Sequence, residues 1–102
     1  MTETTAAAPR RHRFEMALTF ADARRLAVHL ADDGRLAIAD RRLAGTCDGR
    51  PWSLALGPER RRTIALLDLA ICDVELDLAG FEAAAEAAFL DRFHRVFQRG
   101  GG

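Results

Sequence analysis

Three histidines (His12, His29 and His94), two cysteines (Cys47 and Cys72) and an acidic row (Asp73, Glu75 and Asp77) are the side chains of this 102-residue chain best suited to metal binding, nucleophilic attack or proton transfer. The histidines stand singly, with neither an HExxH pair nor a Cys/His spacing that would bring two ligands to one metal. Cys47 precedes Asp48-Gly49, which reads as a hairpin tip, and a thiol there attacks only when a neighbouring base or cation activates it. Cys72 falls in the apolar phase of its segment and reads as a small core residue. Carboxylates at alternate strand positions can hold a hard cation or trade protons, but the same alternation is how a strand presents a solvated face. Neither GxGxxG nor GxxxxGK[ST] occurs. We therefore assign no catalytic, cofactor-binding or metal-binding residue from the sequence.

Contact chemistry is better represented. All 15 basic residues are arginines, with clusters at 10, 11 and 13, at 41 and 42, and at Arg60, Arg61 and Arg62. Brought to one face, they would make a footprint for a nucleic-acid backbone, with Phe14 or Trp52 available for stacking. Trp52 and Phe81 are candidate contact residues for a protein partner, although an aromatic residue in a short β segment also serves to anchor a core. The tail Arg99-Gly100-Gly101-Gly102 resembles the diglycine ends of ubiquitin-like modifiers and sulfur-carrier proteins, which implies a carrier activated at Gly102. In those families the tail follows a strand of a β-grasp domain, whereas here it follows a predicted helix.

Length and composition limit the architecture that positions these groups. A chain of 102 residues supports one core and one domain, expected over residues 10–99 between a disordered segment 1–9 and a flexible tail 100–102. No apolar run approaches the roughly 20 residues of a membrane-spanning helix. The arginines of the N-terminal stretch follow its alanines and lead into no long apolar segment, so we expect a cytoplasmic protein with free thiols. Net charge is zero but unevenly spread: residues 1–62 carry 12 arginines against 8 acids, and residues 63–102 carry 3 against 7.

Phe14, Met16, Leu18 and Phe20 alternate with polar residues and predict a first strand. The period then lengthens, and Ala23, Leu26, Ala27 and Leu30 predict a helix over 21–33, with Thr19 and Asp22 as a capping signal and Asp32-Asp33-Gly34 as its stop. Leu36 and Ile38 begin a second strand. Asp48-Gly49 joins two more, 43–47 and 50–56, in a two-residue hairpin. Strands near 61–68 and 71–78 follow, with the break placed where Leu67-Asp-Leu-Ala-Ile71 crosses phase. Ala85, Phe89, Phe93 and Phe97 recur every four residues and predict a second helix ending near Gln98.

The expected fold is α+β: an antiparallel sheet of four or five strands covered on one face by two helices, in the order β-α-β-β-β-(β)-α. In general form this order resembles the helix-covered sheets of the ferredoxin-like and helix-grip folds. The functional expectation is a small non-enzymatic protein-interaction or oligomeric accessory module, without cofactor, whose partner is another protein or a second copy. Nucleic-acid binding through the arginine clusters and carrier activity at Gly102 are the alternatives.

Overall fold

The computed structural model describes residues 10–101, so the expectations placed on residues 1–9 and on Gly102 lie outside the described residues. The chain is α+β, with an antiparallel sheet and two helices on one of its faces, as the sequence predicts. Six strands are present: β1 (Arg11–Met16), β2 (Ala37–Ala39), β3 (Arg42–Cys47), β4 (Arg50–Leu56), β5 (Arg60–Ile64) and β6 (Leu67–Asp77). Helix α1 (Phe20–Ala27) follows β1 and continues as a 3₁₀ turn over Val28–Leu30; α2 (Ala83–Gly101) ends the described chain. The main sheet runs β1-β6-β4-β3-β2, and β5 pairs with β6 outside that row.

Strand β6 carries the fold because its alternation fits both neighbours. Cys72, Val74 and Leu76 are fully buried, and Leu78 beyond the strand end joins them. On one side β1 pairs from Arg11↔Asp77 to Met16↔Cys72; on the other β4 pairs from Ser53↔Asp77 to Leu56↔Val74. Trp52, Leu54 and Leu56 of β4 and Leu43 of β3 extend the apolar face, which Ala23, Leu26, Ala27 and Leu30 cover from one end and Phe89, Phe93 and Phe97 from the other. Phe93 and Phe97 stack with centroids 4.5 Å apart, and Phe14 reaches Phe93 at 5.4 Å. Burying one such aromatic is worth about 3–5 kcal/mol against alanine.

The first helix is shorter than the predicted span 21–33, and Asp32 gives the reason. Its cap is the predicted one, although the helix begins at Phe20, the expected last residue of a first strand that in fact ends at Met16: Asp22 N–H donates to Thr19 Oγ1 and Thr19 N–H to Asp22 Oδ2, both at 3.1 Å, a reciprocal capping box. At the other end Asp32 leaves the helix to serve the β3–β4 hairpin. Its N–H donates to Thr46 O at 2.8 Å, and its carboxylate accepts from the N–H groups of Asp48 (2.8 Å) and Gly49 (3.0 Å). Asp48 and Gly49 have φ of 52° and 77°, the two left-handed residues a twisted two-residue hairpin requires. The second helix continues to Gly101, past the end expected near Gln98.

The predicted break inside Leu67–Ile71 is absent: β6 runs unbroken through it, and the turn falls earlier, at Ala65-Leu66, where Ile64 pairs with Leu67. The phase crossing is instead absorbed at Ile71-Cys72, two consecutive buried residues. Opposite them the chain takes one extra residue. Leu56 pairs with Val74, Gly57 N–H donates to Asp73 O at 2.9 Å, and Arg60 next pairs with Ile71, so four steps on one side match three on β6. This is a β-bulge at Gly57-Pro58-Glu59.

Gly45 lies directly across from Trp52, and a Cβ built on it would stand 2.8 Å from the indole Cζ2 and 3.2 Å from Ala31 Cβ. The backbone there is packed against the ring, with room for no side chain. We predict that Gly45→Ala lowers stability by about 1–3 kcal/mol through overpacking. Urea denaturation followed by tryptophan fluorescence measures this, and an unchanged midpoint would show that the indole moves aside freely.

Candidate interaction surface

Beyond the bulge, residues 67–71 of β6 have β5 as their sole strand partner, since the pairings with β1 and β4 stop at Cys72 and Val74. The β5–β6 hairpin is therefore a two-stranded arm. Arg60-Arg61-Arg62 explains why this stretch of chain leaves the core: three consecutive arginines in a strand put charge on both faces, so burying either face would take charged groups out of water. All five residues of β5 are exposed.

The arm ends in the largest apolar exposure among the described residues. Leu66 is 100% exposed, Leu67 61% and Ile64 51%; Ile38 at 42% is the other large apolar side chain left open. Ala65 in the turn has φ +55°, and Leu66 follows it. A left-handed alanine costs about 1 kcal/mol, where glycine or asparagine would relieve the strain. Sequence-level turn chemistry is thus missing at the one hairpin whose tip is apolar.

The root of the arm is held firmly. Arg41 donates from Nε and Nη2 to Gly57 O at 3.1 and 2.9 Å and lies over the Phe20 ring, 5.2 Å from its centroid. Phe20 N–H donates to Glu59 Oε2 at 3.0 Å, tying the bulge to the start of α1. Along its shaft, register puts Arg60, Arg62, Ile64, Leu67, Leu69 and Ile71 on one face and Arg61, Thr63, Asp68 and Ala70 on the other. Ile71 is buried although it stands apart from the main core.

Each arginine of the 60–62 cluster has a carboxylate. Arg60 bridges Glu15 (2.6 Å) and Asp73 (3.2 Å), Arg62 donates to both oxygens of Glu15 (3.0 and 3.1 Å), and Arg61 meets Asp68 at 2.8 Å. Hydrogen bonding from Arg62, with the nearby charges of Arg62 and Arg60, holds Glu15 below its ordinary range; the bond from Arg61 does the same for Asp68. Arg11 and Arg13 face Asp77 and Glu75 across β1 and β6, at 3.7 and 3.4 Å. The acidic row 73, 75, 77 does occupy one strand face, as ion-pair partner to these arginines.

The remaining sequence candidates lie elsewhere. Trp52 is buried, its Nε1–H donating to Leu30 O at 3.2 Å, and Phe81 is buried against Phe89 at 5.4 Å; both are core residues, and Phe81 also lines the cleft beside Cys47. His12 bonds Glu86 Oε2 at 2.7 Å, while Arg10 meets Glu86 Oε1 at 2.7 Å; together they pin β1 to α2 and lower the Glu86 pKa, His12 first. His94 packs edge-on against Phe14 and Phe93. No group of three metal-binding side chains occurs among the described residues.

Cys47 opens on a cleft of about 140 Å³ lined also by Arg50, Phe81, Phe89 and Arg92. The arginines do not activate it: partial burial, then the charge of Asp48, raise the thiol pKa above its ordinary value. Arg92 spends its Nη2 donor on His29 O at 2.6 Å. The sequence did not single out Ile64, Leu66 and Leu67 as contact residues. The signal that finds them is the triple arginine, which denies the adjoining strand a buried face.

Two titrations test these assignments. Glu15, Asp68, Glu86 and Asp32 (the last held by the Gly49 and Asp48 N–H groups) all have folded-state pKa values below their unfolded ones. The unfolded chain therefore binds protons first, and their contribution is present above the unfolded carboxylate range and lost as pH falls through the folded values. We predict a thermal midpoint that is flat from neutral pH down to the ordinary carboxylate range and declines below it; a midpoint rising on acidification would contradict the ion pairs. For Cys47, alkylation at neutral pH should be no faster than that of a free thiol and should accelerate only in alkaline solution, read by intact mass.

No protein-family model, curated protein or solved structure matches the chain.

Proposed function

We propose that this chain is a non-enzymatic protein-interaction module that engages its partner through the β5–β6 arm. The observation that carries the reading is the set Ile64, Leu66 and Leu67, exposed together at the end of a rooted ribbon that contributes nothing to the main core. Apolar side chains concentrated in one place on a small domain mark a contact site far more often than the same number scattered singly. The strained Ala65 points the same way, because an exposed turn is otherwise free to adopt glycine or asparagine.

Supporting this reading, the arm offers two kinds of contact at once. Its apolar tip supplies buried area, and its strands each retain one edge of unpaired backbone groups, so an added strand gains hydrogen bonds as well. The arginines of β5 are matched by carboxylates on their own chain, which favours a partner recognised by shape and apolar contact over one recognised by charge. No helix among the described residues is long and apolar enough to cross a membrane. Two free cysteines suit a reducing, cytoplasmic setting.

A photo-cross-linking residue in place of Leu66 tests the proposal in cells. We expect a discrete protein adduct, suppressed by Leu67→Asp, and none from the same residue at Ala87, which is exposed on α2 away from the arm. Absence of any discrete adduct at Leu66 would remove the arm as a contact site.

A further inference from the structure

We infer that Thr63 is a phosphoryl-acceptor site for an arginine-directed protein kinase, and that a phosphate there switches off contact through the arm. The acceptor site stands on β5 alone; the switching rests on the reading of the arm as a contact site.

Four hydroxyl side chains occur among the described residues: Thr19, Thr46, Ser53 and Thr63. Thr19 caps α1, and Ser53 is half-buried in β4 between β3 and β6. Thr46 is exposed but follows Leu43, Ala44 and Gly45. Thr63 is exposed on the arm, directly after Arg60, Arg61 and Arg62 and before Ile64. A kinase with an acidic substrate groove binds an extended segment through arginines two and three positions ahead of the hydroxyl, and seats an apolar residue just past it. Among the described residues Thr63 is the one hydroxyl that meets all of these requirements.

The arm also lets this segment reach such a groove. β5 is already extended and lies outside the main core, and a two-stranded ribbon is marginal by itself, so its outer part opens while the main sheet stays folded. Opening parts Arg61 from Asp68, because that ion pair runs between the two strands. Arg60 and Arg62 hold Glu15 and Asp73 through solvent-exposed pairs of the weak kind, which an acidic groove displaces. Thr63 Oγ1 then attacks the γ-phosphorus of a kinase-bound nucleoside triphosphate. The bond to the bridging oxygen breaks, the nucleoside diphosphate leaves, and the hydroxyl proton passes to the kinase's carboxylate base.

The added charge, about −1.5 to −2 at neutral pH, falls where the arm tolerates it least. Thr63 pairs with Asp68 across the ribbon, and directly opposed like charges destabilise a strand pair. Arg61, two residues back on the same face, is drawn from Asp68 to the phosphate, so the ion pair that spans the strands is lost as the repulsion is added. The ribbon that holds Ile64, Leu66 and Leu67 together loosens, and a phosphate stands beside Ile64 in a contact otherwise made by apolar groups.

The test incubates the full chain with magnesium-ATP and the catalytic domain of an arginine-directed serine/threonine kinase, read by intact mass and peptide mapping. We expect one phosphate, on Thr63, retained by Thr63→Ser and lost in Thr63→Ala. Arg60→Ala and Arg61→Ala, each folded by circular dichroism, should lower kcat/KM about tenfold or more, as the loss of one hydrogen bond to a charged group does. No incorporation, incorporation at another residue in place of Thr63, or incorporation at Thr63 that both arginine variants leave unchanged would overturn the acceptor site. The switch is read separately, in extract of the cells that make the protein, with a photo-cross-linking residue in place of Leu66 and phosphatases inhibited. The adduct expected from the unmodified chain should disappear once Thr63 is phosphorylated, whereas Thr63→Ala should retain it under the same treatment. An adduct that persists with phosphate on Thr63 overturns the switching and leaves the acceptor site. Absence of an adduct from the unmodified chain removes the arm as a contact site and the switching with it, while the phosphorylation result stands on its own.

Discussion

Strand β6 has to satisfy two environments with one continuous run of backbone, and most other features of the molecule follow from how it does so. Its C-terminal half pairs with β1 and β4 and buries Cys72, Val74 and Leu76 beneath two helices. Its N-terminal part has β5 as its sole strand partner and passes from exposed Leu67 and Asp68 through half-buried Leu69 and Ala70 to buried Ile71. The transition is made at Ile71-Cys72, where consecutive residues are both buried, and the opposite chain admits its extra residue at Gly57-Pro58-Glu59. The bulge carries the even-numbered residues of the neighbouring segment from the core face at Leu56 to the opposite face at Arg60 while β6 itself continues unbroken.

The same junction organises the charges. The basic first part of the chain and the acidic second part neutralise each other pair by pair: Arg10 with Glu86, Arg11 with Asp77, Arg13 with Glu75, Arg50 with Glu82, Arg60 with Asp73 and Arg61 with Asp68. Exposed pairs of this kind contribute little individually, typically about 0–1 kcal/mol. Their value here is positional. Alternate signs across β1 and β6 penalise a one-residue slip, which would carry arginines to the core face. With its own carboxylates satisfied in this way, the surface is left with the apolar arm as its distinguishing chemistry.

Core and arm divide the labour within the domain. The core fixes the root of the arm through Arg41, Glu59 and Phe20, while the shaft and tip add almost nothing to the core. A contact element built on a rigid root loses little freedom when it binds, which favours affinity for a given buried area.

Local regularities were legible in the residues alone. Alternation located the strands, a four-residue aromatic repeat located α2, Thr19 with Asp22 announced the start of α1, and Asp48-Gly49 announced its hairpin, because each signal is confined to a few neighbouring residues with a fixed period or a required φ. The α+β class and the helices on one sheet face followed from those signals. Tertiary structure decided what depended on distant partners: that Asp32 would abandon its helix for the hairpin it caps, that Trp52 and Phe81 would be enclosed, and that Arg60–Arg62 would be neutralised by Glu15, Asp68 and Asp73. It also decided the turn at Ala65-Leu66, where the residues carry no turn chemistry and only the register between β5 and β6 sets the place. Period and capping act over one turn of chain, whereas burial, ion pairing and register are fixed by segments that meet only once the chain has folded.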